Sequence, residues 1–356
     1  MRNMYYVDEN IKNCYRVFPE QGRYLYHRYD MNENPEGLPR KFVEEVLKEI
    51  TPEFLAIYPE ADVFLKKYAN YIGVDYKQVL TTNGSDMAIR YLLETFCEKG
   101  KKVVAISPSF EMYAVNCSIL GLQYAPVYCE KDMSINIDRI ISAIDIDTDI
   151  VVLLNPNNPI GKAYTEEEIE QVVNKAQQMG AIVIIDEAYH YFYDKTFVKK
   201  ALEYNNVVVL RTFSKLFSLA ACRLGVIISN DEIINYVKKA RPTFEVNAIA
   251  LKFGERILDN PNMIEELIRR EKDGKKYVID ILKLNGYEVI DGLGNYIFIK
   301  TKIEPNKLSE MLKKEKKILI KTYGNDWLRD YIRVSIGSID AMKYFVEAFL
   351  DVEKDS

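Results

Sequence analysis

The chain has 356 residues, 48% of them hydrophobic, so it can bury a sizeable core and is long enough for a large domain plus a smaller one. Its 48 basic and 53 acidic residues leave a net charge of −5, which gives no field that favours nucleic acid or an anionic membrane. Five scattered cysteines and two histidines make a zinc site, a disulfide framework or a hydrolase triad poor expectations. We expect no metal, a small-molecule substrate, and a cytoplasmic location as the default, since no apolar run approaches the roughly 20 residues that span a bilayer.

The first 50 residues are rich in tyrosine and contain the irregular segment MNENPEGLP, so 1–50 is expected to form an N-terminal arm and the start of a small domain. From residue 79 onward, β-rich runs alternate with helical patterns, which predicts a large α/β domain over 51–240. After residue 241, a long charged helical stretch and two strand and helix pairs predict a connecting helix and a smaller C-terminal α+β domain over 241–356. The predicted strands of the large domain are QVLTT, KVVAIS, QYAPVY, DIVVLLN, AIVIID, NVVVLRT and RLGVIIS.

The first polar group follows the first of these strands. In TTNGSD, Gly84, Ser85 and Asp86 lie where a strand gives way to a helix. Free backbone N–H groups and the helix dipole make such a place an anion site, although a plain Ser or Asp cap is equally consistent. Tyr113, in PSFEMY after the next strand, is expected either to stack on a flat ring or to lie in the core.

Two further strands end in polar residues. The turn NPNNPIG contains Asn158, and Asp186 in IVIIDEAY follows four apolar residues, at the sheet edge where ligands of open α/β sheets gather. A carboxylate there can keep a pyridine nitrogen protonated. Asn158 and Tyr189 can hydrogen-bond a phenolic oxygen of the same ring. In isolation, a strand-end acid is more often a cap, and an Asn-Pro cluster is usually a turn.

The strand NVVVL leads directly into TFSKLFSLAACRLG. Lys215 supplies an amine, and Thr212, Ser214 and Arg223 supply groups that bind a phosphate. This set suits an aldehyde cofactor that carries a phosphate. Lys215 would form a Schiff base with the aldehyde and, once released, act as the base at the substrate's Cα. The alternative is a solvated lysine after a strand end, with Ser214 as the N-cap of a following helix.

In order and spacing, these elements resemble fold-type I pyridoxal phosphate (PLP) enzymes, and among them the histidinol-phosphate aminotransferase family. The resemblance covers nearly the whole chain and rests on MNENP, IYPE, NGSD, PSFEMY, NPNNPIG, DEAY, RTFSK, CRLG and RVSIG. It implies the α/β PLP-transferase fold, with a mainly parallel sheet flanked by helices in the large domain and a smaller C-terminal α+β domain. It also implies pyridoxal 5'-phosphate as the cofactor.

The resemblance gives a role to each matching position. Lys215 becomes the Schiff-base lysine, Asp186 the partner of the pyridinium nitrogen, and Tyr113 the ring-stacking residue. Tyr189 and Asn158 become the ligands of the phenolic oxygen. Tyr58 reaches the cofactor phosphate from the neighbouring subunit, which implies a homodimer with shared active sites. The implied phosphate ligands within the chain are Gly84, Ser85, Asp86, Thr212, Ser214 and Arg223.

Three positions, compared with the family pattern, concern the substrate. Arg333 matches the arginine that receives the substrate's acidic group, which a planar guanidinium suits. Lys321 stands where the family usually has an arginine that helps to bind the substrate phosphate, and Glu245 stands where asparagine is more usual. Lys321 is still a cation, so we expect Arg333, Lys321 and Asn34 to bind a small anionic, phosphorylated substrate.

The leading hypothesis is a transaminase that passes an amino group from glutamate to a small phosphorylated ketone or 2-oxo acid by a ping-pong mechanism. Decarboxylases of phosphorylated amino acids, similar to threonine-phosphate decarboxylase, use the same scaffold and cofactor residues, so fold alone does not separate the two. A PLP-binding effector domain of a DNA-binding regulator is disfavoured, because no helix-turn-helix segment precedes MNENP.

Overall fold

The computed structural model describes residues 5–16, 18–19, 21–324 and 327–354. Its strands are β1 (His27–Arg28), β2 (Val79–Asn83), β3 (Lys102–Ser107), β4 (Gln123–Tyr128), β5 (Thr148–Leu154), β6 (Ile182–Asp186), β7 (Val207–Thr212), β8 (Leu224–Ser229), β9 (Val289–Asp291), β10 (Tyr296–Lys300), β11 (Ile318–Leu319), β12 (Lys321–Thr322) and β13 (Tyr331–Ser335). Its helices are α1 (Glu9–Asn13), α2 (Arg40–Leu47), α3 (Pro52–Ala56), α4 (Asp62–Ile72), α5 (Gly84–Phe96), α6 (Met112–Leu120), α7 (Ile137–Ala143), α8 (Glu166–Met179), α9 (Val198–Ala201), α10 (Asp231–Ala240), α11 (Ala248–Leu258), α12 (Pro261–Leu284), α13 (Pro305–Lys316) and α14 (Ile339–Lys354).

The central sheet has seven strands in the order β2-β8-β7-β6-β5-β3-β4, and they lie at the seven predicted runs. The pairs formed by β3 to β7 are parallel, as expected, but β8 runs antiparallel to both β7 and β2. A parallel return needs a crossover, usually a helix, whereas β7 and β8 are joined by a loop with a single short 3-10 turn at Ala220–Cys222. The predicted mainly parallel sheet is therefore confirmed, with one reversed strand.

The sheet is buried on both faces, because its side chains alternate between two apolar layers. In β5, Val151 and Leu153 pack in one core, whereas Ile150 and Val152 pack in the other. Helix α8 begins at a capping box, where the Thr165 hydroxyl accepts the Glu168 N–H and the Glu168 carboxylate accepts the Thr165 N–H. These layers hold the carboxyl ends of the parallel strands at one edge.

The second unit is built on an antiparallel sheet in the order β12-β13-β10-β9, covered by α12, α13 and α14. The N-terminal strand β1 pairs in parallel with β11, so this part of the arm lies against the second unit. Helix α12 belongs to both units, since Ile264 and Leu267 pack in the large core while Val278 and Leu282 pack in the small one. The boundary at 240/241 stays a prediction. None of the helices in the described ranges is long and apolar enough to cross a membrane.

Candidate active site

Asp186 is the last residue of β6 and is only 4% exposed. Its Oδ2 accepts a hydrogen bond from the Tyr113 hydroxyl at 2.9 Å, and its Oδ1 accepts the Ala188 N–H at 3.1 Å. Burial raises the pKa of Asp186 to about 6, and these two hydrogen bonds oppose that rise. The sheet edge therefore carries a fixed, desolvated carboxyl group that a cationic ring nitrogen would stabilise in its ionised form.

Lys215 lies in the loop after β7. Its Nζ donates to the Met31 carbonyl at 3.1 Å and lies 5.8 Å from the centroid of the Tyr189 ring. Although the residue keeps part of its surface exposed, desolvation and then the charge of Arg333 together lower the pKa of its amine to about 8, against the opposing charge of Glu33. A substantial share of the amine is therefore uncharged near neutral pH, unlike that of a solvated lysine.

The two hydroxyl residues at the end of β7 hydrogen-bond each other. Thr212 Oγ1 accepts the Ser214 N–H at 3.1 Å and donates to Ser214 Oγ at 3.0 Å. No α-helix follows in the described loop, so the alternative in which Ser214 caps a helix is wrong. The loop ends at Arg223, whose guanidinium donates to Asp86 Oδ2 at 2.8 Å and so reaches the first turn of α5.

Backbone, hydroxyl and guanidinium groups converge there in what we call the anion cradle: Gly84, Ser85, Asp86, Thr212, Ser214 and Arg223. Gly84 has φ +75°, and a Cβ on it would lie 2.5 Å from the Arg223 guanidinium. A Cβ on Gly225 would lie 2.7 Å from the Ser85 nitrogen, so β8 touches the start of α5. The first N–H groups of a helix have no partner inside it, and they point with the dipole towards this space. The predicted phosphate ligands thus converge.

Asn158 and Tyr189 lie at the same edge but have different partners. Asn158 Oδ1 accepts from Arg333 at 2.9 Å, whereas the Tyr189 hydroxyl accepts from Asn32 Nδ2 at 2.8 Å. Their shared role as ligands of one phenolic oxygen stays a prediction. Tyr113, expected as the ring-stacking residue, is fully buried and reaches Asp186 with its hydroxyl.

Asn34 was expected to bind substrate, and that role stays a prediction. Its Oδ1 accepts the N–H groups of Glu36 and Gly37, so its side chain closes a local turn. Asn32, which the sequence did not single out, is 1% exposed and faces Tyr189. Its φ of +55° is a backbone state that asparagine tolerates better than most residues.

Arg333 and Lys321 lie directly opposite each other on β13 and β12, so their side chains share one face of the small sheet. Arg333 is 7% exposed, and its guanidinium donates to the Asp30 carbonyl at 2.7 Å and lies 5.4 Å from the Tyr296 ring centroid. Its Nε is buried without a hydrogen-bond partner in the described part of the chain. We call this pair, with the Tyr323 ring beneath both cations, the cationic mouth.

Tyr58 lies outside this constellation. It is 73% exposed and stacks on Phe244 with ring centroids 4.5 Å apart and planes inclined by 15°. Its expected contact with the phosphate of a neighbouring subunit stays a prediction.

The assembled groups fit an aldehyde cofactor with a pyridine ring and a phosphate. The amine is desolvated, the carboxyl group at the sheet edge is buried, and the cradle is so narrow that a glycine Cβ would close it. The described residues contain no cluster of histidine, cysteine or acidic side chains suited to a metal ion.

Comparisons with known proteins agree with this geometry. Residues 30–349 match the family described as aminotransferase class I and II. The chain is 30% identical over 328 residues to the histidinol-phosphate aminotransferase of Clostridium novyi, which covers 91% of each protein. The structure of that enzyme from Sinorhizobium meliloti in complex with pyridoxal-5'-phosphate has a TM-score of 0.87 at 18% identity and covers 99% of each chain. L-threonine-O-3-phosphate decarboxylase from Porphyromonas gingivalis has a TM-score of 0.76 at 20% identity, covering 92% of this chain and 99% of that one. These last two likenesses bear on the fold alone.

Proposed function

The chain belongs to the class I and II aminotransferase family, and from that premise we propose that it moves the amino group of glutamate to a small phosphorylated ketone or 2-oxo acid. It is a PLP-dependent transaminase similar to the histidinol-phosphate aminotransferases, and its cofactor is pyridoxal phosphate. The observation that carries the substrate proposal is the cationic mouth, since Arg333 is close enough to Lys215 to lower the pKa of its amine.

When bound, PLP supplies an electron sink for negative charge at the substrate's Cα. Lys215 would hold the cofactor through its aldehyde carbon, and its amine would move the proton at the substrate's Cα. Asp186 keeps a proton on the ring nitrogen, because the ionised carboxyl is favoured beside a cation. Tyr189, whose hydroxyl accepts a hydrogen bond from Asn32, would donate to the phenolic oxygen.

The anion cradle and the cationic mouth bind different anionic groups, those of the cofactor and of the substrate respectively. The cradle binds the cofactor phosphate through the first turn of α5 and Arg223. The mouth places two like charges directly opposite each other on neighbouring strands, an arrangement that costs free energy unless an anion lies between them. A substrate phosphate or the second carboxylate of glutamate meets that need, so one site serves both half-reactions.

A decarboxylase of a phosphorylated amino acid would need the same residues, because only the orientation of the substrate about Cα differs. The deciding experiment supplies the enzyme with glutamate plus phosphorylated ketones and, separately, with phosphorylated amino acids, and measures 2-oxoglutarate and carbon dioxide. We expect 2-oxoglutarate with a phosphorylated acceptor and little with its unphosphorylated counterpart. Carbon dioxide without 2-oxoglutarate would establish the decarboxylase, and equal use of both acceptors would remove the proposed role of the cationic mouth.

We also propose that two copies of the chain form the working enzyme, with Tyr58 of each reaching the cradle of the other. The exposed stack of Tyr58 on Phe244 supports this, because two large aromatic rings stay in contact with water in the isolated chain. Light scattering should give twice the chain mass. Tyr58→Phe should weaken PLP affinity by about tenfold, the effect of one lost hydrogen bond to a charged group. A monomer mass, or unchanged affinity, would contradict the shared site.

A further inference from the structure

We propose that Glu245 is a positioning residue for the cofactor phosphate, acting through the backbone N–H of Asn83 at the start of the anion cradle. The inference rests on the proposed binding of PLP and concerns how this chain shapes the site for its phosphate. Glu245 does not touch the phosphate position itself. It holds the backbone from which Gly84, Ser85 and Asp86 follow.

The segment 241–247, which links α10 to α11, contacts two places beside the cradle and one aromatic ring outside it. Glu245 Oε1 accepts the Asn83 N–H at 2.8 Å, one residue before Gly84. Asn247 Nδ2 donates to the Cys222 carbonyl at 3.0 Å, one residue before Arg223. Phe244 stacks on Tyr58, the residue expected to reach the partner's phosphate. The segment is therefore tied to both halves of the cradle.

The start of α5 explains why support has to come from outside. The side chain of its N-cap residue, Asn83, makes no capping hydrogen bond, unlike those of Thr165 at α8 and Asn230 at α10. A capping side chain would occupy the first free N–H groups of the helix, which are the groups an anion needs. Glu245 instead accepts from the N–H of Asn83 itself, which fixes the turn and leaves the following N–H groups available.

Burying the carboxyl group of Glu245 costs free energy unless hydrogen bonds or ion pairs compensate for the lost hydration. Its side chain is 5% exposed, Oε2 has no hydrogen-bond partner in the described part of the chain, and Arg241 is 3.9 Å away. Burial raises the pKa of Glu245, against the Asn83 N–H, Tyr91 and Arg241. Burial and then Glu245 likewise raise the pKa of Tyr91, which lies on α5. The hydrogen bond from the Asn83 N–H, at 2.8 Å, is shorter than the 3.9 Å ion pair with Arg241 and ties the buried carboxyl group to the backbone before Gly84.

The backbone around Gly84 is packed so closely in the cradle that a small displacement would change its geometry. A Cβ on Gly225 would lie 2.6 Å from the Gly84 carbonyl carbon, and one on Gly84 would meet Arg223. A shift of the Asn83–Gly84 backbone by a few tenths of an ångström would therefore change the distance between the helix N–H groups and the Arg223 guanidinium. An acceptor at residue 245 is what fixes that distance.

The test compares two forms of the cofactor on the complete, cofactor-free protein. PLP and pyridoxal, which lacks the phosphate, are each titrated by absorbance into wild type, Glu245→Ala and Glu245→Gln. We expect Glu245→Ala to bind PLP about tenfold more weakly but pyridoxal within about twofold of wild type, since only the phosphate uses the cradle. Glu245→Gln, which keeps an acceptor, should bind PLP within about threefold of wild type.

Glu353→Ala is the matched control, because Glu353 is also buried and accepts backbone N–H groups, from Lys302 and Ile303 in the small domain. It should lower thermal stability and leave the ratio of PLP to pyridoxal affinity unchanged. Equal losses for PLP and pyridoxal in Glu245→Ala, or a Gln variant as weak as the Ala variant, would overturn the inference. If the Ala variant does not fold, Glu245→Ser replaces it. Failure of wild type to capture either compound on Lys215 would instead refute the cofactor assignment.

Discussion

The anion cradle and the cationic mouth lie in one site but are built differently. The cradle is made largely within short stretches of chain, as in the bonds between Thr212 and Ser214, two residues apart. In the mouth, Arg333 bonds Asn158 and the carbonyl of Asp30, which are 175 and 303 positions away in sequence. The cradle also needs the bond between Arg223 and Asp86, which are 137 positions apart but lie in the same large domain. The cofactor side thus forms within one domain, whereas the substrate side exists only after both domains have folded. The comparison predicts that changes on the cofactor side stop the reaction, whereas changes on the substrate side alter what is bound.

The largest effect is expected at the amine. Lys215→Ala should lower kcat by about a thousandfold or more, because it removes both the group that holds the aldehyde and the base at Cα. Borohydride reduction followed by peptide mapping should find the pyridoxyl group on Lys215 in wild type only. Lys215→Arg separates charge from nucleophilicity and should be as inactive. Lys238→Ala, on the exposed face of α10, is the control; a label at another lysine would refute the assignment.

Asp186→Asn should come next, with kcat lower by about a hundredfold, because the ring nitrogen loses its anionic partner. Tyr113→Phe removes the 2.9 Å hydrogen bond to Asp186 but leaves the carboxylate, so it should cost about tenfold or less. Steady-state kinetics at saturating PLP measure both. A Tyr113 variant as impaired as the Asp186 variant would mean that the hydroxyl, and not the charge, is what the site requires.

The pH dependence of the reactivity of the Lys215 amine tests whether this amine is desolvated. Because the pKa of Lys215 is lowered to about 8, its unprotonated, nucleophilic fraction rises as pH increases through that value and levels off above it. The rate of pyridoxal capture by the cofactor-free protein should therefore rise about tenfold between about pH 7 and about pH 9. A rate that still rises steeply near pH 10 would show an ordinary, solvated lysine. Arg333→Met should raise the apparent pKa, because Arg333 lowers that of Lys215.

The substrate side should respond through KM. Lys321→Ala should raise KM for the phosphorylated acceptor by about fivefold with kcat nearly unchanged, since an exposed cation contributes about 1 kcal/mol. Lys321→Arg should restore binding, and Lys300→Ala, an exposed cation on β10 paired with Glu288, should do nothing to KM. If kcat falls instead of KM rising, Lys321 acts on the chemistry rather than on binding.

The smallest expected effects on kcat are those of substitutions at Asn32 and Asn34, and we expect the two to differ. Asn32→Ala should lower kcat by about fivefold, because Tyr189 loses the bond that orients its hydroxyl. Asn34→Ala should change kcat by less than about twofold and lower stability slightly, because it only opens a turn. The reverse order would support the substrate role that the sequence predicts for Asn34.

The sequence predicted the seven strands, the helix start at Gly84 and the strand-end position of Asp186, because each depends on apolar periodicity and a local polar residue. It did not predict the reversal of β8, which depends on how a loop closes, nor the pairing of Asn158 with Arg333 across the two domains. Nothing in MNENP tells which of its two asparagine side chains turns inward to Tyr189. That choice is made by Ser335 and Tyr189, whose side chains contact Asn32 only in the folded chain.

The reversal of β8 has a consequence for how the site tolerates change. Thr212 and Gly225 are paired across β7 and β8, so the loop between them is anchored at both ends. Lys215 lies three positions inside one anchor and Arg223 two positions inside the other. Because both ends of the loop are fixed, the number of residues in it sets the distance between the Lys215 amine and the Arg223 guanidinium. Its spacing is therefore as much a part of the site as its side chains, and a one-residue insertion would do damage that no single substitution reproduces.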